Sequence, residues 1–97
     1  MRVVFHPEFG RDLNSIFDWL STERPTSIEP LQRQITKAIA AVIVWPRLAP
    51  VVLEMENEIR AVTLTRYPYR IFYRVRGDMI EILHIRHAAR VPWEGGR

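Results

Sequence analysis

Few side chains of this chain combine the residue types and spacing that chemistry demands. Its three histidines stand at positions 6, 84 and 87, and alternate carboxylates run through Glu54, Glu56 and Glu58. General acid–base catalysis needs an acid and a base converging on one reacting atom. Metal binding needs His, Cys, Asp or Glu at ligand spacing. The glutamates have no histidine at that spacing and read as a solvated run. The chain has no cysteine, which excludes thiolate ligands, thiol nucleophiles and disulfides, and it has no glycine-rich phosphate loop. The sequence thus implies neither a cofactor nor a metal.

Cations are more prominent. Residues 1–58 contain six basic and eight acidic side chains, whereas residues 59–97 contain eight arginines and three acids; the two parts carry −2 and +5, which sum to the formal +3. Lys37 is the one lysine. Arginine suits bidentate recognition of phosphate or carboxylate better than lysine does. The basic C-terminal part therefore reads either as a docking surface for an anionic partner or as solvated arginines that keep the protein soluble.

These side chains must be positioned by short elements, because 97 residues support one core and a single domain over 1–97. Arg2-Val3-Val4-Phe5 predicts a strand, stopped by His6-Pro7. Pro7 suits a first helical turn, and Phe9, Leu13, Ile16, Phe17 and Leu20 follow at helical spacing, which predicts a helix over roughly 7–23. Thr26-Ser27-Ile28-Glu29 has the spacing of a capping box, Ile28, Leu31, Ile35, Ala38, Ile39 and Val42 form one stripe, and Pro46 ends the second helix. Residues 38–45 are apolar almost all round, so the second half of this helix is expected to be sandwiched between the first helix and a sheet. Val51-Val52-Leu53 reads as an extra strand or a packed loop.

The rest reads as a meander. Residues 59–65 alternate, with Arg60, Val62 and Leu64 on one face and Ile59, Ala61, Thr63 and Thr65 on the other. A turn at Arg66-Tyr67-Pro68 leads to a second alternating run over 69–76, and Gly77-Asp78 is a two-residue hairpin signal with glycine first, as a type II′ turn requires. That loop sets Val75 opposite Ile80, Tyr73 opposite Ile82 and Ile71 opposite His84 on an apolar side that should pack on the helices. Arg74 then faces Glu81, Phe72 faces Leu83 and Arg70 faces Ile85 on the outer side. His84 falls inside as a core histidine, and Arg86, His87 and Arg90 follow into a basic C-terminal tail.

The fold class is therefore α+β, of order β-α-α-β-β-β, with a two-helix hairpin on one face of a small, mainly antiparallel sheet. The N-terminal MRVVFHPEF lacks the apolar stretch of a signal peptide. The longest apolar run has eight residues, where a membrane span needs about twenty. A cytoplasmic protein with no membrane association is expected.

This order of elements, with Arg60 entering the second strand, the run from Tyr67 to Val75, the Gly77-Asp78 turn and the run Ile82-Leu83-His84-Ile85-Arg86-His87-Ala88-Ala89-Arg90, resembles the RelE/ParE superfamily of type II toxin–antitoxin toxins. The last two runs resemble ParE-like plasmid stabilisation proteins in particular. The resemblance implies a growth-inhibiting toxin that poisons DNA gyrase and is held in a hetero-oligomer by a cognate antitoxin, with no catalytic residue of its own. Arg60, Arg70, Arg74, Arg86 and Arg90 are then the candidates for target binding; Arg60 equally suits a fold anchor paired with Glu58 or Asp12. Trp19, Ile43 and Val44 are candidates for antitoxin binding.

The alternative within the superfamily is a RelE-like endoribonuclease that cuts mRNA on the ribosome, for which Arg70, Arg90 and His87 would be the catalytic candidates. Against it, the lysines of the RelE pattern fall at Ala61 and Thr63, and no tyrosine follows Arg90. A binding module without toxicity is the third reading.

Overall fold

The computed structural model describes residues 2–54 and 58–88. The elements are β1 (Arg2–Phe5), α1 (Pro7–Glu23), a 3₁₀ turn (Pro25–Ser27), α2 (Ile28–Val44), β2 (Val51–Leu53), β3 (Ile59–Thr63), β4 (Tyr69–Arg76) and β5 (Met79–His87). Val51–Leu53 is thus a strand. The five strands form one sheet in the order β1-β5-β4-β3-β2. Strand β1 runs parallel to β5, and every other neighbouring pair is antiparallel.

Pro7 opens α1 at the position where a missing N–H is harmless. Pro46 follows the end of α2, where the Trp45 amide still bonds the Ala41 carbonyl at 2.8 Å. The capping box is not formed. Ser27 is already in the helical region and makes no side-chain cap, because the 3₁₀ turn runs directly into α2.

Both helices cover the same face of the sheet. Phe9 and Leu20 of α1 and Leu31, Ile35 and Val42 of α2 join Ile71, Tyr73, Ile80, Ile82 and Ile85 in one buried cluster. Each fully buried aliphatic side chain of this kind contributes about 1.5–3 kcal/mol. The second half of α2 is not sandwiched. It buries Val42 against the core, whereas Ile43, Val44 and Trp45 are exposed, because its far side has no facing element among the described residues. A smaller cluster of Ile59, Ala61, Phe72 and Leu83 lies apart from the main core, with Val52 and Leu53 against it.

The hairpin forms at Gly77-Asp78. Gly77 has φ +59° and Asp78 a negative φ, the signs a type II′ turn requires. Arg76↔Met79, Val75↔Ile80, Arg74↔Glu81 and Tyr73↔Ile82 pair as expected. Beyond Tyr73 the register slips by one residue. Leu83 is inserted as a bulge, so Phe72 faces His84, Ile71 faces Ile85 and Arg70 faces Arg86, in place of the Leu83, His84 and Ile85 partners expected from the loop alone. The slip is favourable for packing, since it turns Ile85 into the main core opposite Ile71.

Candidate functional site

The outer side chains of β4 divide into two groups. Near the hairpin loop, Arg74 donates through Nε to Glu81, and Arg76 Nη1 lies 3.6 Å from the same carboxylate. His6 Nε2 approaches the other Glu81 oxygen at 3.8 Å. Burial alone would raise the Glu81 pKa. The Arg74 hydrogen bond and the charges of Arg74, Arg76 and His6 outweigh it and hold the carboxyl below its ordinary value. These cations are occupied by an acid.

At the other end of the sheet no such compensation is found among the described residues. The register aligns Thr63, Arg70 and Arg86 in one row across β3, β4 and β5. The Arg70 guanidinium lies over the Phe72 ring, 5.4 Å from its centroid. Among the described residues, neither Arg70 nor Arg86 forms an ion pair with a carboxylate. Like charges directly opposite each other destabilise a sheet, so the row is a local cost that an anion would relieve.

Arg60 is placed elsewhere. It is paired with Tyr73, and its side chain is 14% exposed. Its Nη1 donates to the carbonyls of Arg47 at 2.9 Å and Ala49 at 2.7 Å, and Nη2 lies 3.4 Å from Glu58. The Tyr73 hydroxyl donates to the Pro46 carbonyl at 2.7 Å. Desolvation raises the Tyr73 phenol above its ordinary range, against the lowering pull of Arg60. Arg60 and Tyr73 together tie the segment after α2 to the sheet. The anchoring role and the Glu58 partner agree with the sequence reading, whereas the two carbonyls that Arg60 also satisfies lie more than ten residues away and have no signal near it in the sequence.

The histidines do not converge on a reacting site. His84 is 4% exposed, and its Nδ1 lies 3.0 Å from Asp12 Oδ2 of α1. The same oxygen accepts the Ile85 amide at 3.1 Å. This imidazole–carboxylate pair fastens α1 to the bulged strand. His87 stacks edge-on against Tyr69 at 5.5 Å. Glu54 and Glu58 are exposed, while Glu56 and Arg90 lie outside the described residues, as does the tail over 89–97. No group of three or more His, Cys, Asp or Glu side chains that could hold a metal ion occurs among the described residues.

Beside the arginine row, a groove of about 950 Å³ separates α1 from the start of β4 and the end of β5. Trp19, Leu20, Leu31, Tyr67 and Tyr69 give it an apolar lining, and Asp12, Arg24, Arg86 and His87 also line it. Trp19 is 55% exposed there. Ile43 and Val44 lie away from it on α2, in a patch with Trp45 and Leu48 that is up to 78% exposed.

The family model for the ParE toxin of the type II toxin–antitoxin system parDE matches residues 3–92. The chain belongs to the ParE toxin family. The fold agrees: a chain of the chromosomal ParDE toxin–antitoxin system from P. aeruginosa superposes with a TM-score of 0.72 at 25% identity, over 90% of this chain and 95% of that one. No curated protein matches the sequence. In this ParE-family chain, no helix among the described residues is long and apolar enough to cross a membrane.

Proposed function

We propose that the chain is a cytoplasmic growth inhibitor that poisons DNA gyrase and is neutralised by a cognate antitoxin. The observation that carries the target reading is the Arg70–Arg86 pair, two cations in one cross-strand position with no carboxylate partner among the described residues. Arg90, four residues further along the chain, lies outside the described residues and enters the proposal from the sequence alone. A nuclease would need a base within reach of a 2′-hydroxyl. His84 is unsuited to that role because it is buried against Asp12, and Ala61 and Thr63 carry no cation. His87 is read as a groove residue, not a base.

The antitoxin reading is supported by family membership and by the ParDE system to which the P. aeruginosa neighbour belongs. Trp19 in the groove and Ile43 and Val44 on α2 are the proposed contacts, since exposed apolar side chains of this size mark a surface that a partner covers.

Expression in growing cells tests the target. Growth arrest with gyrase-dependent DNA breaks is the expected outcome, and it should persist in His87→Ala. Cleavage of mRNA on translating ribosomes without gyrase–DNA complexes would replace the proposal with the nuclease reading. Expression without arrest would leave only a binding module.

A further inference from the structure

We infer that the row Thr63–Arg70–Arg86, with Arg66 on the adjoining turn, is a cradle for the phosphodiester backbone of duplex DNA, so that the toxin touches nucleic acid directly. The inference deepens the target proposed above and takes its setting, an enzyme–DNA complex, from it.

The bulge at Leu83 creates the row. In the unbulged register Arg70 would face Ile85, and Arg86 would have no arginine neighbour; the one-residue slip places the two guanidinium-bearing residues opposite each other. Bulges commonly re-aim side chains beside functional sites. Thr63 faces Arg70 from β3 and adds a hydroxyl donor to the row. Arg66 is exposed on the turn that joins these strands and, like Arg70 and Arg86, has no carboxylate partner among the described residues.

Charge is thus segregated along the sheet. Arg74 and Arg76 share the Glu81 carboxylate near the hairpin, while at the opposite end Arg66, Arg70 and Arg86 have no carboxylate partner among the described residues. A single carboxylate would neutralise one of the three. A nucleic-acid backbone offers a charge at about every 3.4 Å along each strand, and each phosphate accepts two parallel bonds from a guanidinium. Contacts of this kind position a protein on DNA without reading sequence, as an inhibitor of an enzyme acting at many sites requires.

Binding of the purified toxin to a fluorescent 20-base-pair duplex, measured by anisotropy between 50 and 200 mM salt, is the test. Three phosphate contacts predict a slope of log K against log salt of about −2.7, or roughly 40-fold weakening across that range. Arg70→Gln/Arg86→Gln should bring the slope to about −0.9, a weakening of roughly 3.5-fold. Its thermal midpoint should not fall below that of the wild type, because the like-charge opposition is gone. Arg66→Gln, at an exposed turn, carries the test if the double variant does not fold, and should reduce the slope by about one unit.

Wild-type protein that does not bind duplex at 50 mM salt, or folded variants with the wild-type slope, would overturn the inference. So would arginine-dependent binding of a polyglutamate peptide alongside arginine-independent binding of DNA, which would assign the row to an acidic protein. Gyrase cleavage complexes scored in parallel keep the two proposals apart. Arginine-dependent DNA binding without such complexes supports the cradle and removes gyrase as target; complexes formed by a wild-type toxin that does not bind duplex remove the cradle and leave gyrase in place.

Discussion

The Tyr73 hydroxyl reaches across the core to the Pro46 carbonyl, 2.7 Å away, and so joins the middle of the sheet to the residue that terminates α2. Tyr73 is fully buried. Truncation to alanine is expected to destabilise the protein by about 3–5 kcal/mol, and Tyr73→Phe, which strands the carbonyl but keeps the ring, by about 1–2 kcal/mol. Urea unfolding midpoints check both. Equal midpoints for wild type and Tyr73→Ala would contradict the packing described.

Arg60→Ala should behave as a folding defect. The guanidinium satisfies two carbonyls from the segment after α2, and charge-assisted bonds of this kind contribute about 1.5–3 kcal/mol. Toxicity of the variant should fall in step with its folded fraction measured by circular dichroism. Full stability combined with lost toxicity would instead put Arg60 at the target.

Acid should weaken the protein through Glu81. Its folded pKa lies below its ordinary 4.5, so the unfolded chain binds the proton first as the pH falls. The stabilisation is therefore fully present above about pH 5 and is lost as the pH drops through the folded value. Glu81→Gln should lower the urea midpoint at pH 7 and flatten its decline between pH 5 and 3. A parallel decline in both proteins would show that the Arg74–Glu81 contact is not coupled to folding.

Asp12→Ala removes the acceptor shared by His84 and the Ile85 amide. An expected loss of about 1–3 kcal/mol follows from the buried groups left behind, and exchange of the Ile85 amide proton should accelerate. Asp12→Asn, if it folds, should retain growth arrest. Selective loss of toxicity in a stable Asp12→Asn protein would mean that the pair does chemistry.

Trp19→Ala is expected to leave the melting temperature within a few degrees, since the side chain is more than half exposed, and to weaken antitoxin binding by about 2 kcal/mol if Trp19 is an interface anchor. Calorimetric titration with the cognate antitoxin measures this directly.

The limits of α1, the hairpin loop and the Arg74–Glu81 pairing were legible because each depends on neighbours a few residues apart: Pro7 and a helical stripe, a glycine at the turn, and opposite charges across a short loop. The bulge was not. Leu83 is neither a glycine nor a proline, and the slip is driven by burial of Ile85 and by the acceptor that Asp12 supplies from another element. The same limit hid Arg86 opposite Arg70, and with it the centre of the candidate site. The exposed end of α2 was misread because an apolar run does not reveal whether anything in its own chain will cover it.

The parallel pairing of β1 with β5 has a consequence for synthesis. Strand β1 is synthesised before β5 and must wait for it before its backbone groups find their partners, and closing so long a loop is entropically slow. The nascent sheet therefore stays open at that edge until β5 has been made.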